Sequence, residues 1–248
     1  PLELPGYCED SLCAEAESLI LKKAGLNKEE ADVFWAASGT MANLSLLTTV
    51  MAANEAVLAA DTAHIHTAEA GAIEFSGHKI LTVRSKDGKI LPESIERVCS
   101  NFEESDQVSR AHVCRPRAVY ISFPTELGTI YSLEELKALS GVCKRHRLFL
   151  YIDGARLAYG LAASSDVELK ELAECADAFY IGGTKCGALF GEAVVIKDRD
   201  VRDRFLGVLR MCGGLIAKGR TLGCSFKAFF EDDLYQRLGR SANEKASK

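Results

Sequence analysis

Two polar residues in the stretch 148–191 have the types and the spacing to do chemistry together. Asp153 closes the apolar run LFLYID, and Lys185 stands just past the run AFYI, 32 positions further on. Apolar runs of this length, separated by a helix-like segment, read as neighbouring strands of a parallel sheet. Such strands deliver the residues that follow them to the carboxyl edge, where open α/β sheets bind ligands. A carboxylate and an amine brought to one edge suggest cofactor chemistry.

Further groups reach the same edge if strands and helices alternate. Residues 32–37 (DVFWAA) read as a strand that breaks at Ser38, Gly39 and Thr40 and opens into a helix-like segment, MANLSLLTTVMAAN. A strand, a glycine turn and a helix N-terminus leave backbone N–H groups facing outward; with the helix dipole and two hydroxyls they favour a phosphate. The plainer reading of Ser38 is an N-cap on a core helix. Residues 56–60 (AVLAA) read as another strand, followed by His64, His66 and Glu69. The HxH pair has no third ligand at a useful spacing, so no metal is expected. The flat ring of His64 could instead stack on a flat cofactor.

Strands are also expected at 78–84 and 118–122, and helices at 92–102 and 132–146, the second opened by a capping box from Ser132 to Glu135. The first helix is expected to start from Ser11 as N-cap and to stop at Gly25. Residues 103–112 read as a polar surface loop. From 198 onward the pattern turns helical and basic, divided at Gly213 and Gly214. This alternation predicts βαβ units with right-handed crossovers: an α/β fold in three layers, α/β/α, around a mostly parallel sheet, in one domain over 1–248.

With 248 residues, 48% of them apolar, the chain can bury a substantial core. A net charge of −5 gives no general attraction to nucleic acid or to acidic membranes, so neither is expected as a partner and a small molecule is. No apolar run approaches the roughly 20 residues that span a bilayer. Nine scattered cysteines without a CxxC pair read as free thiols in a reducing compartment, which predicts a cytoplasmic protein.

Together, Ser38, Gly39, Thr40, His64, Glu69, Asp153, Arg156, Thr184 and Lys185 supply a phosphate cradle, a flat ring, carboxylates, a cation and an amine. Pyridoxal 5′-phosphate needs such a set: a lysine to bond its aldehyde, a carboxylate to keep its ring nitrogen protonated, and a helix N-terminus for its phosphate. Lys185, among Gly182, Gly183 and Gly187, is expected to be partly buried, which makes an amine easier to deprotonate and more nucleophilic. The competing readings make Asp153 the N-cap of a helix begun by GARLAYGL and Arg156 its ion-pair partner.

The stretches GYCEDSLCAEAESLI, ASGTMANL, AHIHTAEAGAIEFSGHKI, TELGTIYSLEELKAL, LYIDGARLA, FYIGGTKCGALFGEAVVI and LIAKGRTLG cover most of the chain. They resemble the threonine aldolase group of the fold-type I pyridoxal-phosphate enzymes, within the aromatic amino acid β-eliminating lyase family, and DGAR with GGTK is the most specific part. The resemblance implies that Lys185 bonds the cofactor and Asp153 partners its ring nitrogen. By the same resemblance Arg156 lies near the cofactor's phenolic oxygen and the substrate. His64 stacks on the ring and shares in proton transfer, and Ser38, Gly39, Thr40 and Thr184 surround the phosphate. Glu69 stands near the substrate's β-hydroxyl, and Tyr7 reaches the site at a subunit interface.

The implied activity is a retro-aldol cleavage of L-threonine or L-allo-threonine to glycine and an aldehyde, in a homodimer or homotetramer. The same scaffold supports β-elimination or transamination as alternatives. Cys8 departs from the glycine usual after the tyrosine, and Phe123-Pro124 from a polar pair. The resemblance also implies an earlier N-terminal segment and a C-terminal small domain, with a substrate-carboxylate arginine, outside this sequence. A chain lacking that anchor is expected to bind cofactor and turn over poorly.

Overall fold

A computed structural model describes residues 5–248. Its strands are β1 Asp32–Ala36, β2 Glu55–Ala60, β3 Lys79–Val83, β4 Arg115–Ser122, β5 Phe149–Asp153, β6 Ala178–Gly182 and β7 Glu192–Ile196. They form one sheet in the order β1-β7-β6-β5-β4-β2-β3. Only β7 runs against the others, pairing antiparallel with β1 and β6. Every residue of β5, β6 and β7 is buried, as expected of strands covered on both faces.

The direction of the crossovers sets the layers. From β1 to β2 the chain travels towards one side of the sheet, and from β3 through β4 and β5 to β6 it returns. Right-handed crossovers in opposite directions put their helices on opposite faces. Accordingly the helix Gly39–Val50 packs over β1, β4, β5 and β7, while Leu133–Arg145 packs on β5 between Pro92–Glu104 and Leu169–Cys175. The last helices extend these layers: Arg199–Met211 lies beside Gly39–Val50, Arg220–Glu231 along Ser11–Lys23, and Leu234–Ala246 against Leu157–Ala163. Among the described residues no helix is long and apolar enough to cross a membrane.

Local signals hold with three corrections. The capping box at Ser132 and Glu135 forms both of its hydrogen bonds, and Gly25, at φ 68°, follows the end of the first helix. The N-cap of that helix is Asp10 and not Ser11: its Oδ1 accepts from the Leu12 and Cys13 N–H groups, each at 3.1 Å. The polar stretch 103–112 is not all loop, because Asp106 caps a short helix, Gln107–Ala111, with none of its residues buried. Asp153 does not cap a helix; Leu157–Ala163 begins four residues later, with Arg156 at its N-cap.

At the carboxyl edge the turns after β5 and β6 meet backbone to backbone. A Cβ on Gly154 would lie 1.9 Å from the Tyr180 carbonyl oxygen, and one on Gly182 2.5 Å from that of Ala155. The Gly182 N–H donates to the Gly154 carbonyl at 3.0 Å. Gly154→Ala should therefore destabilise the chain by about 3 kcal/mol or more, since backbone on both sides must shift. Gly207→Ala, in a helix where a Cβ meets nothing within 4 Å, should stabilise it by roughly 0.5–1 kcal/mol. Urea denaturation of both variants checks the contrast, and equal effects would contradict the packing argument.

Candidate active site

The parallel strands β1, β2, β4, β5 and β6 end at one edge and deliver, in turn, Ser38 to Thr40, His64 with Glu69, Glu126, Asp153 and Lys185. Ser38 caps the helix Gly39–Val50, its Oγ accepting from the Met41 N–H at 3.2 Å. The N–H groups of the first turn have no partner inside the helix and face the edge. Gly39 lets this turn sit close to the sheet, where a Cβ would come within 2.8 Å of the Tyr180 hydroxyl. Both readings of Ser38, cap and edge of an anion cradle, are thus compatible.

Beneath that helix the two-residue period of strands puts Tyr120 and Ser122 of β4 on the same face as Tyr151 and Asp153 of β5; they stand directly opposite each other in register. Asn43 projects from the helix onto this face. Its Nδ2 donates to Glu69 Oε1 at 2.7 Å and to Asp153 Oδ2 at 3.1 Å, and its Oδ1 accepts from the Tyr151 hydroxyl at 2.9 Å. His64 Nδ1 lies 2.8 Å from Glu69 Oε1. Asp153 Oδ2 also accepts from the Tyr120 hydroxyl, which Ser122 Oγ contacts at 3.3 Å, and Asp153 Oδ1 accepts from the Ala155 N–H at 2.9 Å. Ser122 Oγ donates to Glu126 Oε1, which accepts the His64 backbone N–H at 3.0 Å and closes the ring of contacts.

Burial raises the Glu69 carboxyl above its usual range, against the opposing effect of its hydrogen bonds from His64 and Asn43; the nearby Asp153 charge adds to the rise. Burial likewise pushes the Tyr120, Tyr151 and Tyr180 phenols well up, so they keep their protons, and Tyr120 and Tyr151 donate theirs to Asp153 and Asn43.

Lys185 is exposed, contrary to the expected partial burial, because the glycines around it carry no side chains to cover it. What is fixed is its backbone. Tyr235 OH donates to the Gly182 carbonyl at 2.9 Å and Tyr159 OH donates to the carbonyl of Lys185 itself. Glu192, at the start of β7, accepts from the Gly183 N–H at 2.6 Å and from the Thr184 hydroxyl at 2.8 Å.

The remaining expected residues are less gathered. Arg156 is half-buried and forms no ion pair with Asp153 among the described residues. Thr184 reaches the edge with its hydroxyl proton committed to Glu192. Tyr7 stands apart from this network, its half-exposed ring 5.6 Å from the Arg210 guanidinium. His66 is exposed, whereas His64 turns inward to Glu69. Sequence reasoning missed Asn43, Tyr120, Glu126 and Glu192. Asn43 carried the one usable signal, an amide among apolar residues of a helix expected to be buried.

Pyridoxal phosphate suits this donor set. The helix N-terminus offers N–H groups and hydroxyls to a phosphate, Asp153 offers a carboxylate held by three donors to a ring nitrogen, and Lys185 offers an amine free to react. Glu69 Oε2 is buried without a hydrogen-bond partner among the described residues, and such an oxygen calls for a donor from a bound molecule.

The model of the β-eliminating lyase family matches residues 7–243. The chain belongs to this family. Within it, the chain is similar to a low-specificity L-threonine aldolase of Pseudomonas sp., 34% identical over 96% of this chain and 67% of that protein. It also resembles a solved threonine aldolase of Leishmania major, with a TM-score of 0.93 and 38% identity over 99% of this chain and 70% of that one. An aspartate aminotransferase of Thermus thermophilus shares the fold at 16% identity, with a TM-score of 0.72 over 98% of this chain and 62% of that one. The fold is that of the fold-type I enzymes, as expected from the sequence.

In this family member, Glu192 yields a pH test. Burial pushes its carboxyl up from 4.5 to about 6. The folded chain therefore binds this proton more tightly than the unfolded one, so the group's stabilising contribution is complete below pH 4.5 and is lost as pH rises to about 6. The loss is roughly 2 kcal/mol. Glu192→Gln removes it, so the stability of that variant relative to the parent should rise by about this amount between pH 4 and 7. Urea titrations across that range measure it, and a pH-independent difference would contradict the assignment.

Proposed function

We propose that the chain is the cofactor-binding large domain of a pyridoxal-phosphate-dependent lyase that cleaves L-threonine or L-allo-threonine to glycine and acetaldehyde. The observation that carries the reading is the His64–Glu69 pair, set on the same edge as Asp153 and Lys185 and tied to Asp153 through Asn43. An aldol cleavage needs a group to take the β-hydroxyl proton; transamination does not.

In this reading Lys185 bonds the cofactor, Asp153 holds its ring nitrogen, and Ser38, Gly39 and Thr40 hold its phosphate with Thr184 beside them. Arg156 would meet the phenolic oxygen and the substrate. When bound, pyridoxal phosphate supplies the sink for the electrons of the breaking Cα–Cβ bond. The imidazole of His64 would stack on the cofactor ring. With Nδ1 engaged by Glu69, His64 keeps Nε2 for the β-hydroxyl proton, and the Glu69 carboxylate balances the charge that then forms on the imidazole. A cytoplasmic homodimer or homotetramer, with Tyr7 near the site of a second copy, belongs to the same proposal.

Incubation of the cofactor-loaded chain with L-allo-threonine should release acetaldehyde and glycine. Ammonia and a 2-oxo acid without acetaldehyde would replace the aldolase reading with elimination. Lys185→Ala should abolish the visible absorbance of lysine-bound cofactor. His64→Asn should keep that absorbance and lower kcat by about 10²-fold or more.

A further inference from the structure

Asn43 is fully buried, and each polar atom of its amide is used. The Tyr151 hydroxyl keeps its proton and gives it to Asn43 Oδ1 at 2.9 Å, so the Nδ2 side must face the two carboxylates. The two N–H groups of one rigid amide thereby serve one carboxylate each, at 2.7 Å from Glu69 Oε1 and 3.1 Å from Asp153 Oδ2, so a shift of the amide toward one lengthens its bond to the other. Among the described residues Asp153 has two other donors, Tyr120 and the Ala155 N–H, whereas Glu69 has only His64. The titratable groups facing Glu69 are His64, Asp153 and Tyr151, while Tyr120, Tyr180 and Glu192 face Asp153.

We propose that Asn43 is a positioning residue that makes the charge of Glu69 depend on what Asp153 is paired with. While Asp153 meets no cation, its charge opposes that of Glu69 and draws the amide toward itself through its own N–H. When a protonated ring nitrogen pairs with Asp153, the repulsion falls and the amide shifts toward Glu69, shortening that bond, and Glu69 stays ionised. His64, which takes the substrate proton, is so given an ionised partner only once the cofactor occupies the other end. This rests on the cofactor reading above, but its first test does not require it.

The readout is the pH midpoint of the Glu69 side-chain carboxyl, followed by 13C NMR in the cofactor-free chain and assigned with Glu69→Gln. Asp153→Asn should lower the midpoint by about one pH unit. In an Asn43→Ala background, the same substitution should lower it by less than about half as much. Tyr151→Phe, which frees the amide while keeping both carboxylates, should also weaken the link, and it decides the matter alone if Asn43→Ala does not fold. An equal fall in every background would show that the charges act through space and would overturn the proposal, as would no fall in the parent. Adding pyridoxal phosphate to the parent should lower the midpoint as Asp153→Asn does. If visible absorbance develops and the midpoint stays, the link to the cofactor is wrong. If no absorbance develops, the cofactor reading fails while the Asp153→Asn comparison still judges Asn43.

Discussion

The separation of the acid and the amine depends on a contact in which no side chain takes part. Gly154 and Gly182 bring the turns after β5 and β6 together so closely that a Cβ on either would strike carbonyl oxygen. The hydrogen bond from Gly182 N–H to the Gly154 carbonyl continues the pairing of the two strands into their turns. Asp153 and Lys185 therefore emerge from adjacent strands with little freedom in how far apart they stand. Tyr159, Tyr235 and Glu192 then fix the backbone of the lysine turn from three further elements, and this leaves the amine itself free to reach a ligand.

Three buried carboxylates, Glu69, Asp153 and Glu192, lie within electrostatic reach of one another at this edge. Burying charge is costly unless donors replace water. Apart from His64, the donors are neutral here: phenols whose burial keeps their protons on, the Asn43 amide, the Thr184 hydroxyl and backbone N–H groups. Among the described residues no cationic side chain, Arg156 included, pairs with Asp153, so a cationic ligand meets no resident competitor there for that carboxylate. An edge built in this way holds negative charge without neutralising it, and a protonated ring nitrogen is a suitable counterpart.

Most of the fold was legible because its signals are local. Apolar runs marked the strands, glycine turns and caps marked their ends, and the strand-end positions of Asp153 and Lys185 followed from chain order alone. The partners were illegible for a physical reason: they are set by register and crossover. Tyr120 meets Asp153 only because β4 and β5 pair Ser122 with Asp153, and Asn43 reaches both carboxylates only because the first crossover lays its helix over β4 and β5. The expected burial of Lys185 failed on a simpler ground. Glycine neighbours allow close backbone packing but contribute no atoms to cover a side chain.

The antiparallel strand explains why both ends of a ligand can be held in one frame. β7 enters the sheet between β1 and β6, and its first residue, Glu192, stands opposite Ala36 on one side and Gly182 on the other. Ala36 lies two residues before the helix cap at Ser38, and Gly182 three before Lys185. The carboxylate of Glu192 then reaches back to Gly183 and Thr184. A single buried residue thus registers the strand that leads to the phosphate-type turn against the turn that carries the amine. Because the two grips share this strand, a displacement of one is transmitted to the other through backbone pairing, and the distance between them is set by the sheet and not by either loop.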